Sequence, residues 1–216
     1  MRKIKRFKIA PRQKEILRKL MRGGSLLRQA GFTTAGEVAA YILHAFSQLN
    51  AGVVYEFNQD AHWELDDKNT VHKEMFTAAA VTLGTDIVTW FDQEQALGPQ
   101  RAIVAGTIVL EFLKNAILFV GDLIHEQAEK EEYDTADLQF VYLPPFGTAA
   151  VPKLLRESVL LEKELADKTL PLLLEKLNSS KIDVAFRQEG TDTLLSPRYT
   201  VVFLVPWQKM RKKGKK

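Results

Sequence analysis

The feature that most constrains the fold is an apolar segment over residues 100–131. A helix formed by this segment would carry apolar side chains on nearly every side: Ile103, Val104, Ile108, Val109, Phe112, Leu113, Ile117, Leu118, Phe119, Val120, Leu123 and Ile124. A membrane span needs about 20 consecutive apolar residues, but Glu111, Lys114 and Asn115 interrupt this run. Because charges are costly in lipid, the segment predicts a helix buried in a protein core, and no membrane association.

Several other segments have the patterns of strands and helices. Residues 76–83 form a nearly continuous apolar run that ends at Gly84, which is typical of a central strand buried on both faces. Further strands are predicted at residues 52–57, 138–143, 181–187 and 199–205, the last closed by Pro206. Further helices are predicted at residues 11–22, 34–49, 85–95 and 152–167, and from Pro171 to residue 177. This order favours the α+β class, with a twisted, largely antiparallel or mixed sheet and one long buried helix.

The second predicted helix has a recognisable start. Thr33 or Thr34 is expected to cap it, and Glu37, three residues after Thr34, completes a capping box. Together with the preceding basic helix, this could suggest a helix-turn-helix. The linker of about ten residues is too long for that motif, so the sequence argues against it.

Charge is unevenly distributed along the chain. Residues 1–22 contain ten Lys or Arg and one acid, and residues 209–216 contain six Lys or Arg. The rest of the chain is acidic. We expect one domain over residues 1–208 and a disordered basic tail over residues 209–216. The basic ends could contact nucleic acid or another anionic partner, but a solvated helix face and a frayed terminus are the favoured explanation. We therefore expect weak, non-specific nucleic-acid binding at most.

Composition excludes several kinds of chemistry. The chain has no cysteine, which excludes disulfides, thiol nucleophiles and thiolate metal sites. No glycine-rich nucleotide-binding motif occurs, and the four histidines have no ligand spacing. The basic start has no apolar run after it, so no signal peptide is expected and a cytoplasmic location is the simplest inference. No catalytic residue or metal site is assigned, and whether the chain is an enzyme stays open.

The stretch from residue 138 to residue 147 is the best candidate for a ligand site. A predicted strand runs into Pro144 and Pro145, which fix the backbone and remove two donors. Phe146 then offers an aromatic surface, and Gly147 allows a ligand to approach closely. Tyr142 could add a polar contact. The predicted site is therefore Tyr142, Pro144, Pro145, Phe146 and Gly147, although the same loop could simply end an edge strand.

Short motifs in a fixed order also carry a family resemblance. They are Leu26-Leu27-Arg28-Gln29-Ala30-Gly31-Phe32, Val81-Thr82-Leu83-Gly84, Gly106-Thr107, Leu143-Pro144-Pro145-Phe146-Gly147, Leu177-Asn178-Ser179-Ser180-Lys181-Ile182-Asp183-Val184 and Ser196-Pro197-Arg198. This succession resembles the activation (reactivation) domain of cobalamin-dependent methionine synthase and, more closely, the small stand-alone proteins related to it. The resemblance covers most of residues 16–206.

The resemblance implies an α+β domain that binds S-adenosylmethionine and helps to remethylate an oxidised cobalamin, with reduced flavodoxin as the electron donor. It makes S-adenosylmethionine or cobalamin the expected ligands. A corrinoid or methyltransferase protein is the expected partner, and the expected function is that of an accessory protein in corrinoid-dependent methyl transfer. Alternatives are an interaction protein that kept the fold but lost the ligand, and a weak nucleic-acid binder.

One position departs from the pattern of the family. The family's ligand signature is an arginine followed by a proline–glycine–tyrosine turn, which falls here on Pro144, Pro145 and Phe146. The arginine position falls on Val141, and valine cannot supply a bidentate contact to a carboxylate. We therefore expect weak S-adenosylmethionine binding or none, improved by Val141→Arg if the pocket is otherwise intact.

Overall fold

The computed structural model describes the chain over residues 2–5, 7–9, 12–58, 75–147, 151–157, 159–189 and 192–209. Over these ranges the chain is an α+β protein with one mixed sheet, a separate two-stranded hairpin and a long buried helix. Residues 210–216 of the predicted tail lie outside these ranges.

The bounds of the elements are as follows. The helices are α1 (Gln13–Met21), α2 (Gly24–Gln29), α3 (Ala35–Ser47), α4 (Thr85–Ala96), α5 (Pro99–Lys130), α6 (Lys153–Arg156) and α7 (Lys163–Leu177), and a 3₁₀ turn follows at Ser179–Ile182. The strands are β1 (Arg2–Lys5), β2 (Gly52–Asn58), β3 (Phe76–Thr82), β4 (Tyr133–Thr135), β5 (Gln139–Tyr142), β6 (Val159–Leu160), β7 (Ala185–Glu189), β8 (Asp192–Ser196) and β9 (Thr200–Lys209).

The strand order of the main sheet is β1-β2-β3-β9-β5-β6, and β4 pairs with the far end of β9. Of the recorded pairings in this sheet, β5 with β6 is parallel and the others are antiparallel. The last strand in the chain therefore lies at the centre of the sheet. Strands β7 and β8 form the separate antiparallel hairpin.

Two apolar cores lie on opposite faces of the sheet. In β9, Val201, Phe203 and Val205 face the core that contains α5, and Val202 and Leu204 face the core that contains α7. This alternation buries both faces of the strand, which explains why β9 is apolar along most of its length. The same holds for β3, where every residue is buried, as its continuous apolar run predicts.

The long buried helix predicted from the sequence is present as α5, one residue earlier at each end than expected. Its most apolar stretch would be long enough to cross a membrane, and 83% of that stretch is buried inside the protein. Even Glu111 is only 2% exposed.

The capping box at the start of α3 is also present. The Thr34 hydroxyl accepts from the Glu37 N–H at 3.2 Å, and the Glu37 carboxylate accepts from the Thr34 N–H at 3.2 Å. The basic first helix begins at Gln13, after the predicted start at Pro11, which is outside the described residues. Helix α2 occupies part of the stretch that was predicted to be a linker.

The sequence-based boundaries are wrong in the region after residue 151. The single helix predicted for residues 152–167 is replaced by α6, β6 and the start of α7. The open edge of β5 accounts for this, because it pairs with Val159 and Leu160, and the Leu161 N–H donates to the Phe140 carbonyl at 2.9 Å.

Two prolines do not mark boundaries as predicted. Pro171 lies inside α7, whose buried leucines continue on both sides of it. Pro206 lies inside β9, and its carbonyl accepts from the Ala136 N–H at 2.9 Å on the side where β5 has ended and β4 begins. A proline fits there because no ladder partner requires its missing N–H. Lys209, predicted to begin the disordered tail, is the last residue of β9.

Candidate functional site

One concave site in the described part of the chain is a groove between the C-terminal half of α5 and the place where β5 gives way to β4 beside β9. Helix α5 contributes Leu118, Gly121, Asp122 and His125, whose spacing puts them on one helix face. The opposite wall comes from residues 135–138, α6 and β6, and the cavity volume is about 660 Å³. We call this site the α5 groove.

The inside of the α5 groove is mainly apolar. Leu138, Phe140, Leu154, Val159 and Val205 line it. A Cβ built at Gly121 would meet no atom within 4 Å, so the space beside this glycine is open. The size and the apolar lining match those of small-molecule sites in proteins, which measure roughly 300–1,000 Å³.

The rim of the α5 groove is predominantly acidic. Asp122 and Asp137 lie on it, and neither makes an ion pair within the described part of the chain. Lys153, also on the rim, forms an exposed ion pair at 3.5 Å with Glu157, which also lines the groove. His125 Nδ1 lies 3.0 Å from the Thr135 hydroxyl oxygen. The rim therefore favours a ligand that combines an apolar body with positive charge.

A second, smaller cavity lies at the end of β5, between α4 and the β7–β8 hairpin. Its volume is about 290 Å³, and it shares no lining residue with the α5 groove. Its polar lining includes two arginines, Arg187 and Arg198. We call this site the arginine cavity.

The predicted site residues are divided by the structure. Tyr142 and Pro145 line the arginine cavity. Pro144 is buried, and Phe146 packs against the core on the α5 side. Gly147 is exposed with a φ of 58°, in the left-handed region that favours glycine. The loop therefore does not present all five residues to one pocket.

A β-bulge explains why Tyr142 is absent from the α5 groove. The pairing of β5 with β9 shifts register between Phe140 and Tyr142. Simple alternation would place these two side chains on the same face, but Phe140 faces α5 and Tyr142 packs against the core on the α7 side. The Tyr142 hydroxyl accepts from the Leu195 N–H at 3.2 Å, and burial raises its pKa, so it is a neutral group that braces the hairpin.

Val141, at the predicted arginine position, is a core residue. It is 4% exposed and belongs to the α7-side cluster with Leu170 and Leu174. An arginine in this backbone position would place its guanidinium in that core rather than in the α5 groove.

Asp122 and Arg187 were not singled out from the sequence, and Arg198 was quoted only within a motif that carries the family resemblance. Asp122 and His125 have a detectable signal, since they share one helix face with Leu118 and Gly121, but the groove exists only because β4 and β5 pair with β9. Arg187 lies in β7 and Arg198 follows the end of β8, and no spacing rule connects them. Among the described residues, no group of three or more His, Asp or Glu could hold a metal ion.

Neither the comparison with protein-family models nor the comparison with curated proteins finds a match for this chain.

Proposed function

We propose that this protein is a cytoplasmic accessory protein of cobalamin- or corrinoid-dependent methyl transfer that binds S-adenosylmethionine in the α5 groove. The observation that carries the proposal is an apolar groove of about 660 Å³ with two carboxylates, Asp122 and Asp137, on its rim. The order of short sequence motifs supplies the methyl-transfer context.

The chemistry of S-adenosylmethionine fits this groove. Its adenine ring is a flat, largely apolar surface that can pack on the partly exposed side chains of Leu138 and Leu154. Its sulfonium and ammonium groups are positively charged, and Asp122 and Asp137 would attract them. Binding should nevertheless be weak, because no arginine is among the lining residues of the α5 groove to hold the carboxylate of the ligand. A lost charge-assisted contact of this kind corresponds to roughly 1.5–3 kcal/mol, or about ten- to a hundredfold in affinity.

Calorimetry with S-adenosylmethionine and S-adenosylhomocysteine tests the proposal. The second ligand has a neutral thioether in place of the sulfonium, so we expect it to bind more weakly. Asp122→Asn should reduce this preference. Glu126→Gln, which removes an exposed carboxylate of α5 outside the groove, is the matched control and should leave both affinities unchanged.

A groove-filling variant tests the location of the site. Gly121→Leu places a side chain into the open space of the α5 groove and should abolish binding. Spectrophotometric titration of the unmodified protein and of Gly121→Leu with cobalamin tests in the same way whether a corrinoid binds in the α5 groove. The proposed ligand site would be rejected if the unmodified protein bound neither nucleoside and no cobalamin. It would also be rejected if Gly121→Leu left binding intact.

A second candidate function is protein docking without a small ligand. The edge strand β6 carries Val159 and Leu160, which are 61% and 56% exposed, and Val159 also lines the α5 groove. An open, apolar strand edge can pair with a strand of another protein. In this case Leu160→Lys should abolish association with a purified corrinoid protein, while the ligand titrations stay silent.

A further inference from the structure

We propose that the arginine cavity is a separate binding site for a small organic oxyanion, a carboxylate or a phosphate ester, held between Arg187 and Arg198. This site would operate independently of the α5 groove, since the two share no lining residue. Three features of the cavity support it: an oriented guanidinium, a helix N-terminus and an apolar wall.

The first feature is the geometry of Arg198. Its Nη1 donates to Asp92 Oδ1 at 3.0 Å, and its guanidinium lies 5.9 Å from the centre of the Phe91 ring. Asp92 also lines the cavity, so a carboxylate of the protein already occupies one donor of this guanidinium. An arginine has five N–H donors, which leaves donors for a second oxyanion. Both side chains of the pair are about half exposed, so a ligand can reach them.

The second feature is the start of α4. Its first residue, Thr85, lines the cavity, and the helix is 12 residues long. The first N–H groups of a helix lack partners within the helix, and its dipole favours a negative charge at this end. The positive end of α4 therefore reinforces the two arginines.

The third feature is the apolar part of the lining, formed by Val88, Pro145, Leu194 and Pro197. An inorganic ion would leave this surface in contact with water, whereas an organic anion would cover it. The volume of about 290 Å³ limits the ligand to a small molecule. An arginine fork binds carboxylate and phosphate groups in the same bidentate manner, so the shared chemistry is an oxyanion attached to a compact apolar group.

The test uses benzoate and phenyl phosphate as probes and benzamide as a neutral control of nearly the same shape. Amide NMR signals of Leu195 and Ser196 report binding, because both residues line the cavity and the Leu195 N–H donates to Tyr142. We expect benzoate, phenyl phosphate or both to shift these signals, and benzamide to leave them in place. The probe that binds more tightly identifies the oxyanion class.

Variants of the two arginines and of Asp92 test which side chains bind the negative charge of the probe. Arg187→Gln and Arg198→Gln should each weaken binding about ten- to a hundredfold, whereas Arg28→Gln, on the exposed face of α2, should have no effect. Asp92→Asn removes the competing carboxylate and should tighten binding several-fold. Arg198→Lys keeps the charge without the planar fork, so it should give an intermediate affinity if the fork matters.

Three results would overturn the proposal. The first is that neither anion at millimolar concentration shifts the Leu195 and Ser196 signals. The second is that benzamide shifts these signals as much as the anions do. The third is that both Arg187→Gln and Arg198→Gln leave binding of the anions intact. A well-dispersed amide spectrum for each variant establishes that it is folded. Because none of these variants touches the α5 groove, the result is independent of S-adenosylmethionine binding.

Discussion

Glu111 and Lys114 lie one turn apart in the buried middle of α5, and Lys114 Nζ is 2.7 Å from Glu111 Oε2. Helix α1 completes this pair from the other side: Lys19 contacts Glu111, and Glu15 Oε1 is 3.2 Å from Lys114 Nζ. The four side chains form a neutral cluster that joins α1 to α5. Two charges in the middle of an apolar helix are tolerated because each has partners of opposite sign.

Removing Glu111 should destabilise the protein strongly. Glu111→Gln leaves Lys114 buried without its closest carboxylate, which typically costs about 3–5 kcal/mol. Urea unfolding measures the change, and Glu126→Gln, an exposed position on the same helix, should stay within about 0.5 kcal/mol of the unmodified protein. Replacing Glu111 and Lys114 together by leucine should cost less than the sum of the single replacements. Additive costs would show that the two charges do not depend on each other.

The cluster should also give the stability a specific pH dependence. The hydrogen bond from Lys114 is the main cause that lowers the pKa of Glu15 below its ordinary value of 4.5, against the opposing effect of burial. A carboxyl group with a lowered folded-state pKa stabilises the fold above its unfolded pKa, and this stabilisation is lost as the pH falls through the folded pKa. Thermal unfolding of the unmodified protein and of Glu15→Gln should therefore differ at neutral pH and converge in acid. A constant difference at all pH values would contradict this prediction.

Two glycines should respond in opposite ways to alanine. Gly84 has a φ of 91°, and a Cβ there would lie 2.7 Å from the Asn50 carbonyl oxygen, so Gly84→Ala should destabilise by at least about 2 kcal/mol. Gly121 is inside α5 with open space beside it, so Gly121→Ala should stabilise by about 0.5–1 kcal/mol. Differential scanning calorimetry of both variants checks the contrast. A Gly84→Ala protein as stable as the unmodified one would show that the close approach to Asn50 relaxes easily.

The structure reverses the sequence-based expectation for Val141→Arg. Because Val141 is packed in the α7-side core, the variant buries an unpaired charge and should lose about 3 kcal/mol or more of stability. It should bring no gain in S-adenosylmethionine affinity. Chemical unfolding and calorimetry on the same sample check both parts, and a stable variant with tighter binding would show that β5 can shift its register.

Sequence patterns located the elements with strong local signals. Helix α5, the capping box of α3 and the buried strand β3 are each determined by residues close together in the chain. Strands β1, β4, β6 and β8 were missed because they are two to five residues long and exist only through pairing with other segments. Pro206 shows the same limit, since its place inside β9 depends on where neighbouring strands end.

The candidate site was less predictable for the same reason. The rigid loop does end β5, but the bulge between Phe140 and Tyr142, which turns Tyr142 toward the α7-side core, cannot be seen in a hydrophobic pattern. The α5 groove depends on the gap between β5 and β4, and the arginine cavity depends on a hairpin that brings Arg187 near Arg198. Each of these features depends on how the strands pair with one another and not on residue type alone.

The central position of β9 has a consequence for how the protein is made. Strands β4 and β5 pair with β9, as does β3 on its other side, so the sheet cannot close until residues 200–209 have left the ribosome. At about 5–20 residues per second, most of the synthesis passes with the apolar faces of β3 and α5 uncovered. We therefore expect premature termination before β9 to yield aggregates rather than a smaller folded protein.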